Sequence, residues 1–116
     1  MTADLFAGVR VADFEAAVAW YERLLGGPPS FRAHETEVVW EVAEHAWIFV
    51  REDAEPGGAE HVLFVDDLDA RVSEIAARGI EPAERETYSN GVRKAIYRDA
   101  DGNEIGLGGA PSPERG

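Results

Sequence analysis

The chain has 116 residues, enough for one domain that buries its own core. It carries 23 acidic and 11 basic side chains, a net charge of −12, and repulsion excludes a nucleic acid or an anionic membrane as partner. With no cysteine there is no disulfide, thiolate zinc site or cysteine nucleophile, which fits the reducing cytoplasm.

The first stretch, "MTADLFAGVRVADFE", has neither a basic n-region nor a long apolar run, so no secretory signal or membrane span is expected. "FAGVRV" (Phe6 to Val11) reads as a strand. Asp13 then caps a helix, with Glu15 at its positive dipole end. Phe14, Ala17, Val18, Tyr21, Leu24 and Leu25 recur at helical spacing. Gly26-Gly27 and Pro28-Pro29 stop that helix. Short strands follow at Ser30 to Ala33, Thr36 to Val42 and Ala46 to Glu52, the last two joined by a turn near Glu44.

A polar linker, "DAEPGGAE", leads to the strand "HVLFV". Asp67 caps a second helix with an apolar face of Leu68, Val72, Ile75 and Ala76, stopped by Gly79. A strand is expected near Glu81 to Thr87, a hairpin turn at Asn90-Gly91, and final strands at Val92 to Arg98 and Asn103 to Leu107. "GGAPSPERG" reads as a flexible tail. In "DADGN" (Asp99 to Asn103), Gly102 comes too early for a calcium loop and no glutamate closes one, so a hairpin turn is expected.

The order β-α-β-β-β therefore occurs twice. "VADFEA" from Val11 and "VDDLDA" from Val65 lie 54 residues apart and share three of six positions. Each follows a strand and opens a capped helix that ends at glycine. This is an internal duplication.

"VADFEAAVAWYERLLGG", "FVDDLDARVSEIAARGI" and "RDADGNEIGL" resemble the vicinal oxygen chelate superfamily, over nearly the whole chain. That group includes glyoxalase I, extradiol dioxygenases, fosfomycin-resistance enzymes and bleomycin-resistance proteins. The third motif resembles the family's Asp-Pro-Asp-Gly-Asn turn, with Ala100 in place of proline. The resemblance implies an α+β domain of two βαβββ modules, about 4–53 and 59–108. Their curved, mainly antiparallel sheets would carry the helices on the convex face. It implies nothing specific about activity, because one fold hosts many chemistries.

Catalytic members hold a divalent metal on the concave face, with one ligand from the first and one from the last strand of each half. Carried onto this chain, the first slot is Phe6, which cannot ligate, and its counterpart in the second half is Glu60. "AWIFV" offers no ligand type, and the last slot is Gly106. At most one slot keeps a donor, so no metal or other cofactor is expected. Strand alternation puts Glu60, Val62 and Phe64 on the cavity side, and His61, Leu63 and Val65 under the helix.

No Ser/His/Asp pattern, phosphate loop or HExxH motif is present. His34 and His45 belong to turns, and Trp20 to core or interface packing. Trp40 and Trp47 flank one hairpin and either fill the core or line an apolar cleft. The expected ligand contacts are Phe6, Arg10, Trp40, Trp47, Glu60, Phe64 and Glu104. The favoured function is sequestration of a small organic molecule by a metal-free homodimer similar to the bleomycin-resistance branch. Two alternatives stand: a lyase, isomerase or dioxygenase with rearranged ligands such as Glu60, His61 and Glu104, and a structural or regulatory module.

Overall fold

A computed structural model describes residues 2–111. The first module runs β1 (Leu5–Val11), α1 (Phe14–Leu25), β2 (Phe31–His34), β3 (Glu37–Ala43) and β4 (Ala46–Glu52). The second runs β5 (Glu60–Phe64), α2 (Leu68–Ala77), β6 (Glu84–Thr87), β7 (Arg93–Arg98) and β8 (Glu104–Gly109). The strand orders are β1-β4-β3-β2 and β5-β8-β7-β6. In each sheet the first strand pairs parallel with the last, and the remaining pairs are antiparallel. Two four-stranded mixed sheets with helices on the convex face follow, and neither sheet closes.

The duplication is legible in the register. Phe6 faces Trp47 and Gly8 faces Phe49, while Glu60 faces Glu104 and Val62 faces Gly106. Both helices start as the sequence requires. Asp13 accepts a bond from the Ala16 N–H, and Asp67 accepts one from the Ala70 N–H. Gly26 ends α1 in the left-handed region, at φ +93°.

Some boundaries differ from the sequence reading. β6 begins at Glu84 rather than Glu81, because Pro82 has no N–H to give the ladder. β8 extends to Gly109, which pairs with Arg93. Residues 112–116, most of the expected tail, lie outside the described residues.

One core serves both modules. Val9, Val11, Ile48 and Val50 pack beneath Phe14, Ala17, Tyr21 and Leu24 of α1. Ala95, Tyr97, Ile105 and Leu107 pack beneath Leu68, Val72 and Ile75 of α2, in the same cluster. Each large apolar side chain buried there contributes about 1.5–3 kcal/mol.

Polar ties join the halves. The Asn103 amide donates to Arg10 O of β1 at 2.8 Å and accepts from the Ala59 N–H at 3.0 Å. The Arg78 guanidinium donates to the Arg23 and Leu24 carbonyls at the end of α1. The "DADGN" segment is a turn. Asp99 Oδ1 accepts from the Asp101 and Asn103 N–H groups, and Gly102 takes φ +82°.

Candidate functional site

Strand alternation sorts each sheet into two faces. On the first sheet, Val9, Val11, Val38, Trp40, Ile48 and Val50 are buried toward α1. Phe6, Gly8 and Arg10 of β1 lie opposite, beside Trp47, Phe49 and Arg51 of β4. This concave face is aromatic. Phe6 stacks on Trp47 with ring centroids 5.6 Å apart and planes 6° apart. Phe31 meets Trp47 edge-on at 6.0 Å. The Trp47 indole N–H donates to Asp4 Oδ2 at 3.2 Å, so the ring is fixed before any ligand arrives. His45 Nδ1 lies 2.6 Å from Asp4 Oδ1. His45 and then Trp47 hold the Asp4 carboxyl below its usual range.

Phe49 lies across Gly8. A Cβ at Gly8 would fall 2.5 Å from Phe49 Cζ, so any larger residue there requires the ring to move. Arg10 donates to Gly57 O at 3.2 Å, and Arg51 to Asp53 at 3.1 Å. The Glu55 N–H and Arg51 lower the Asp53 pKa.

The second concave face is more polar. It presents Glu60, Val62 and Phe64 of β5 beside Glu104, Gly106 and Gly108 of β8. Phe64 is 66% exposed and Val62 52%, while Phe6 on the first face is 49% exposed. Arg98 forms ion pairs with Glu84 and Glu104; Glu84, and then Glu104, raise its pKa. At the seam between the modules, Leu5 and Trp47 meet Glu60 and Val62 around a hollow of about 200 Å³.

Of the side chains expected to contact ligand, Trp47 and Glu60 line this seam, and Phe6 stacks on Trp47 without lining the hollow. Arg10, Phe64 and Glu104 lie farther along the two concave faces. Trp40 departs from the expectation. It is buried toward α1, its indole N–H donates to Gly27 O at 2.9 Å, and it lies on the sheet face opposite Trp47. It lines a different hollow, of about 360 Å³, between the helix side of the two modules. Phe31, Phe49 and Asp4 belong to the aromatic face and are absent from the sequence reading. The β3–β4 register, which sets Trp47 opposite Glu41, is the signal that finds them.

The donor set does not fit a catalytic metal. Register makes Phe49 the counterpart of Gly106, since Phe49 pairs with Gly8 and Gly106 with Val62. The four slots therefore hold Phe6, Phe49, Glu60 and Gly106, of which Glu60 alone can ligate. The rearranged trio of Glu60, His61 and Glu104 is not assembled either. His61 faces the other side, with Nε2 2.8 Å from Gly8 O, and Glu104 is held by Arg98. Among the described residues no three His, Asp or Glu side chains converge to hold an ion. No described helix is long and apolar enough to cross a membrane.

Residues 4–107 match the family model of the Glyoxalase/Bleomycin resistance protein/Dioxygenase superfamily. A crystal structure of a glyoxalase / bleomycin resistance protein from Catenulispora acidiphila DSM 44928 is 50% identical, with TM-score 0.90 over 95% of this chain and 100% of that one. A bleomycin-binding protein complexed with bleomycin is 21% identical, with TM-score 0.74 over 94% of this chain and 99% of that one. A lactoylglutathione lyase from Agrobacterium tumefaciens is 21% identical, with TM-score 0.71 over 95% of each chain. The last two show a shared fold. No match is found among the curated proteins.

Proposed function

This chain belongs to the Glyoxalase/Bleomycin resistance protein/Dioxygenase superfamily, and we propose that within it the chain binds a small organic molecule, an antibiotic or a metabolite, without a resident metal. The observation that carries this reading is the replacement of metal slots by an aromatic surface. Phe6 and Phe49 stand where ligands would stand, and Phe6 stacks on a Trp47 already fixed by Asp4. Flat aromatic walls with a few placed charges suit a planar organic ligand. Arg10, Glu60, Phe64 and Glu104 supply polar and apolar contacts around it. A bleomycin-binding relative with the same fold is consistent with a drug-like ligand.

The binding unit in this reading is a cytoplasmic homodimer of single-domain chains. Each chain leaves Leu5, Phe6, Phe31, Val62 and Phe64 exposed on or beside its concave faces. A second copy would cover part of that surface and deepen the cleft. The test is calorimetric titration with a panel of antibiotics and aromatic metabolites, on wild type and on Trp47→Ala. Saturable binding lost in the variant is expected. No binding across the panel, or binding indifferent to Trp47, overturns the reading.

A further inference from the structure

The two-residue turn that joins β3 to β4, Glu44-His45, is held in an unusual way. His45 is the one non-glycine among the described residues with a positive φ, at +63°. Glycine or asparagine takes that conformation more readily than a residue with an imidazole side chain does. The turn is bound to the start of the chain at two points. The His45 carbonyl accepts from the Leu5 N–H at 2.8 Å, and His45 Nδ1 lies 2.6 Å from Asp4 Oδ1. On its far side, His45 Nε2 lies 3.4 Å from Glu44 Oε1, so the imidazole sits between two carboxylates.

Asp4 carries this arrangement on to the concave face. Its second oxygen, Oδ2, accepts the Trp47 indole N–H at 3.2 Å, so one carboxylate links the imidazole to the indole. That bond uses the only hydrogen the indole can donate. Trp47 in turn meets Phe6 face to face and Phe31 edge-on. Folding has little need of the link. The His45 and Asp4 side chains are 47% and 41% exposed, and an ion pair that open to water contributes little to stability. The bond from Leu5 reaches the His45 backbone, so any residue at position 45 can accept it. What the histidine side chain adds is the orientation of Asp4, and through it of the indole.

We infer that His45 and Asp4 are positioning residues for the Trp47 ring, setting the plane that a flat ligand meets. The role rests on the reading that Trp47 walls the binding face. A ring already held in its bound orientation loses no rotamer freedom when the ligand arrives, which favours tighter binding. Neither residue need touch the ligand. Released from Asp4, the indole regains the broad torsional well of an aromatic ring about χ2, checked only by its ring neighbours Phe6 and Phe31.

His45→Gly separates side chain from backbone, because glycine keeps the carbonyl and holds the positive φ without strain. Ligand-free 15N-labelled protein is followed through the indole N–H signals of Trp20, Trp40 and Trp47, assigned by Trp→Phe variants. The Trp47 signal should move upfield in Asp4→Ala, which removes its acceptor, and should move in His45→Gly as well. The Trp20 and Trp40 signals should stay still, and the thermal midpoint of His45→Gly should hold. The double variant should match Asp4→Ala alone, because His45 acts only through Asp4. An unmoved Trp47 signal in His45→Gly, shifts that add in the double variant, or a fallen midpoint with all three signals displaced overturns the inference. Titration with 2-naphthol, a flat neutral ring, reads the effect on binding: its dissociation constant should rise about three- to tenfold in His45→Gly. Equal affinity in wild type and variant overturns the role in binding. No binding to either counts against the proposed function, and the indole signals still decide the positioning.

Discussion

Tyr21 Oη donates to Asp99 Oδ2 at 2.8 Å, joining the middle of α1 to the turn before β8 across 78 residues of sequence. Tyr21 is fully buried and Asp99 nearly so. The bond is charge-assisted and shielded from water, and it crosses from one module to the other. It also gives the acidic first residue of the turn a structural role of its own, although the slot beyond the turn holds Gly106 and not a carboxylate.

Tyr21→Phe should therefore lower stability by about 2 kcal/mol, the usual cost of losing a hydrogen bond to a charged acceptor. Chemical denaturation with unchanged m-value checks this. A loss under about 0.5 kcal/mol would show the bond to be incidental.

The same residue predicts an alkaline weakness. Burial, and then the Asp99 charge, push the Tyr21 pKa far above its ordinary value of 10.0. The folded state thus holds the phenolic proton more tightly than the unfolded chain does. The stabilisation is complete below pH 10 and declines as the pH rises beyond it. Tyr97 is raised as well, chiefly by burial, so Tyr21→Phe should flatten this decline without abolishing it. Identical slopes above pH 10 for wild type and variant would refute the assignment.

Gly8 and Phe49 form a second testable pair. Gly8→Ala should cost about 1–3 kcal/mol by overpacking against the Phe49 ring. Made in a Phe49→Ala background, the same Gly8→Ala change should cost almost nothing. Additive losses would mean that the alanine methyl is rejected by something other than Phe49.

On the concave faces, Trp47→Ala and Glu60→Ala should each change affinity for a ligand found in the panel by about tenfold; Glu60→Ala should alter stability by less than about 1 kcal/mol, whereas Trp47→Ala should cost about 1–3 kcal/mol because it removes the Phe6 and Phe31 ring contacts and the Asp4 bond. The Glu60 side chain is exposed and makes no side-chain hydrogen bond or ion pair among the described residues, which predicts its small share in folding. A collapse of the thermal midpoint on Glu60→Ala would make it structural instead.

Metal content gives a direct check. The protein should purify without stoichiometric zinc, nickel, manganese or iron, and added metal should not raise its melting temperature. Phe6→His with Gly106→Glu would place two new donors near Glu60. Gly106 has no positive φ, so the backbone does not oppose a side chain, but a Cβ there meets Lys94 Cε at 3.1 Å and Val62 at 3.4 Å and requires the lysine to yield. Near-equimolar metal in wild type, lost with chelator alongside stability, would instead favour an enzyme.

The sequence carried the fold because each module announces itself locally. Asp13 and Asp67 cap, glycines stop the helices, and the 54-residue repeat sets the two copies side by side. The aromatic face was only half legible. Trp40 and Trp47 flank one hairpin, and proximity suggested a shared cleft. The β3–β4 register instead sends them to opposite faces, a parity already visible in the company Trp40 keeps with Val38. Tyr21 and Asp99 could not be paired from spacing, because 78 residues separate them and the chain is rich in carboxylates.

The Asn103 side chain has a consequence for how the molecule comes apart. Its amide holds Arg10 O, the Ala59 N–H and Asp99 together, so β1, the linker and the last turn share one fully buried anchor. Neither half can melt while leaving the other's hydrogen bonds intact. Duplication in sequence has thus not produced two autonomous folding units: heat should dissolve both halves in a single transition, and either half expressed alone should remain unfolded.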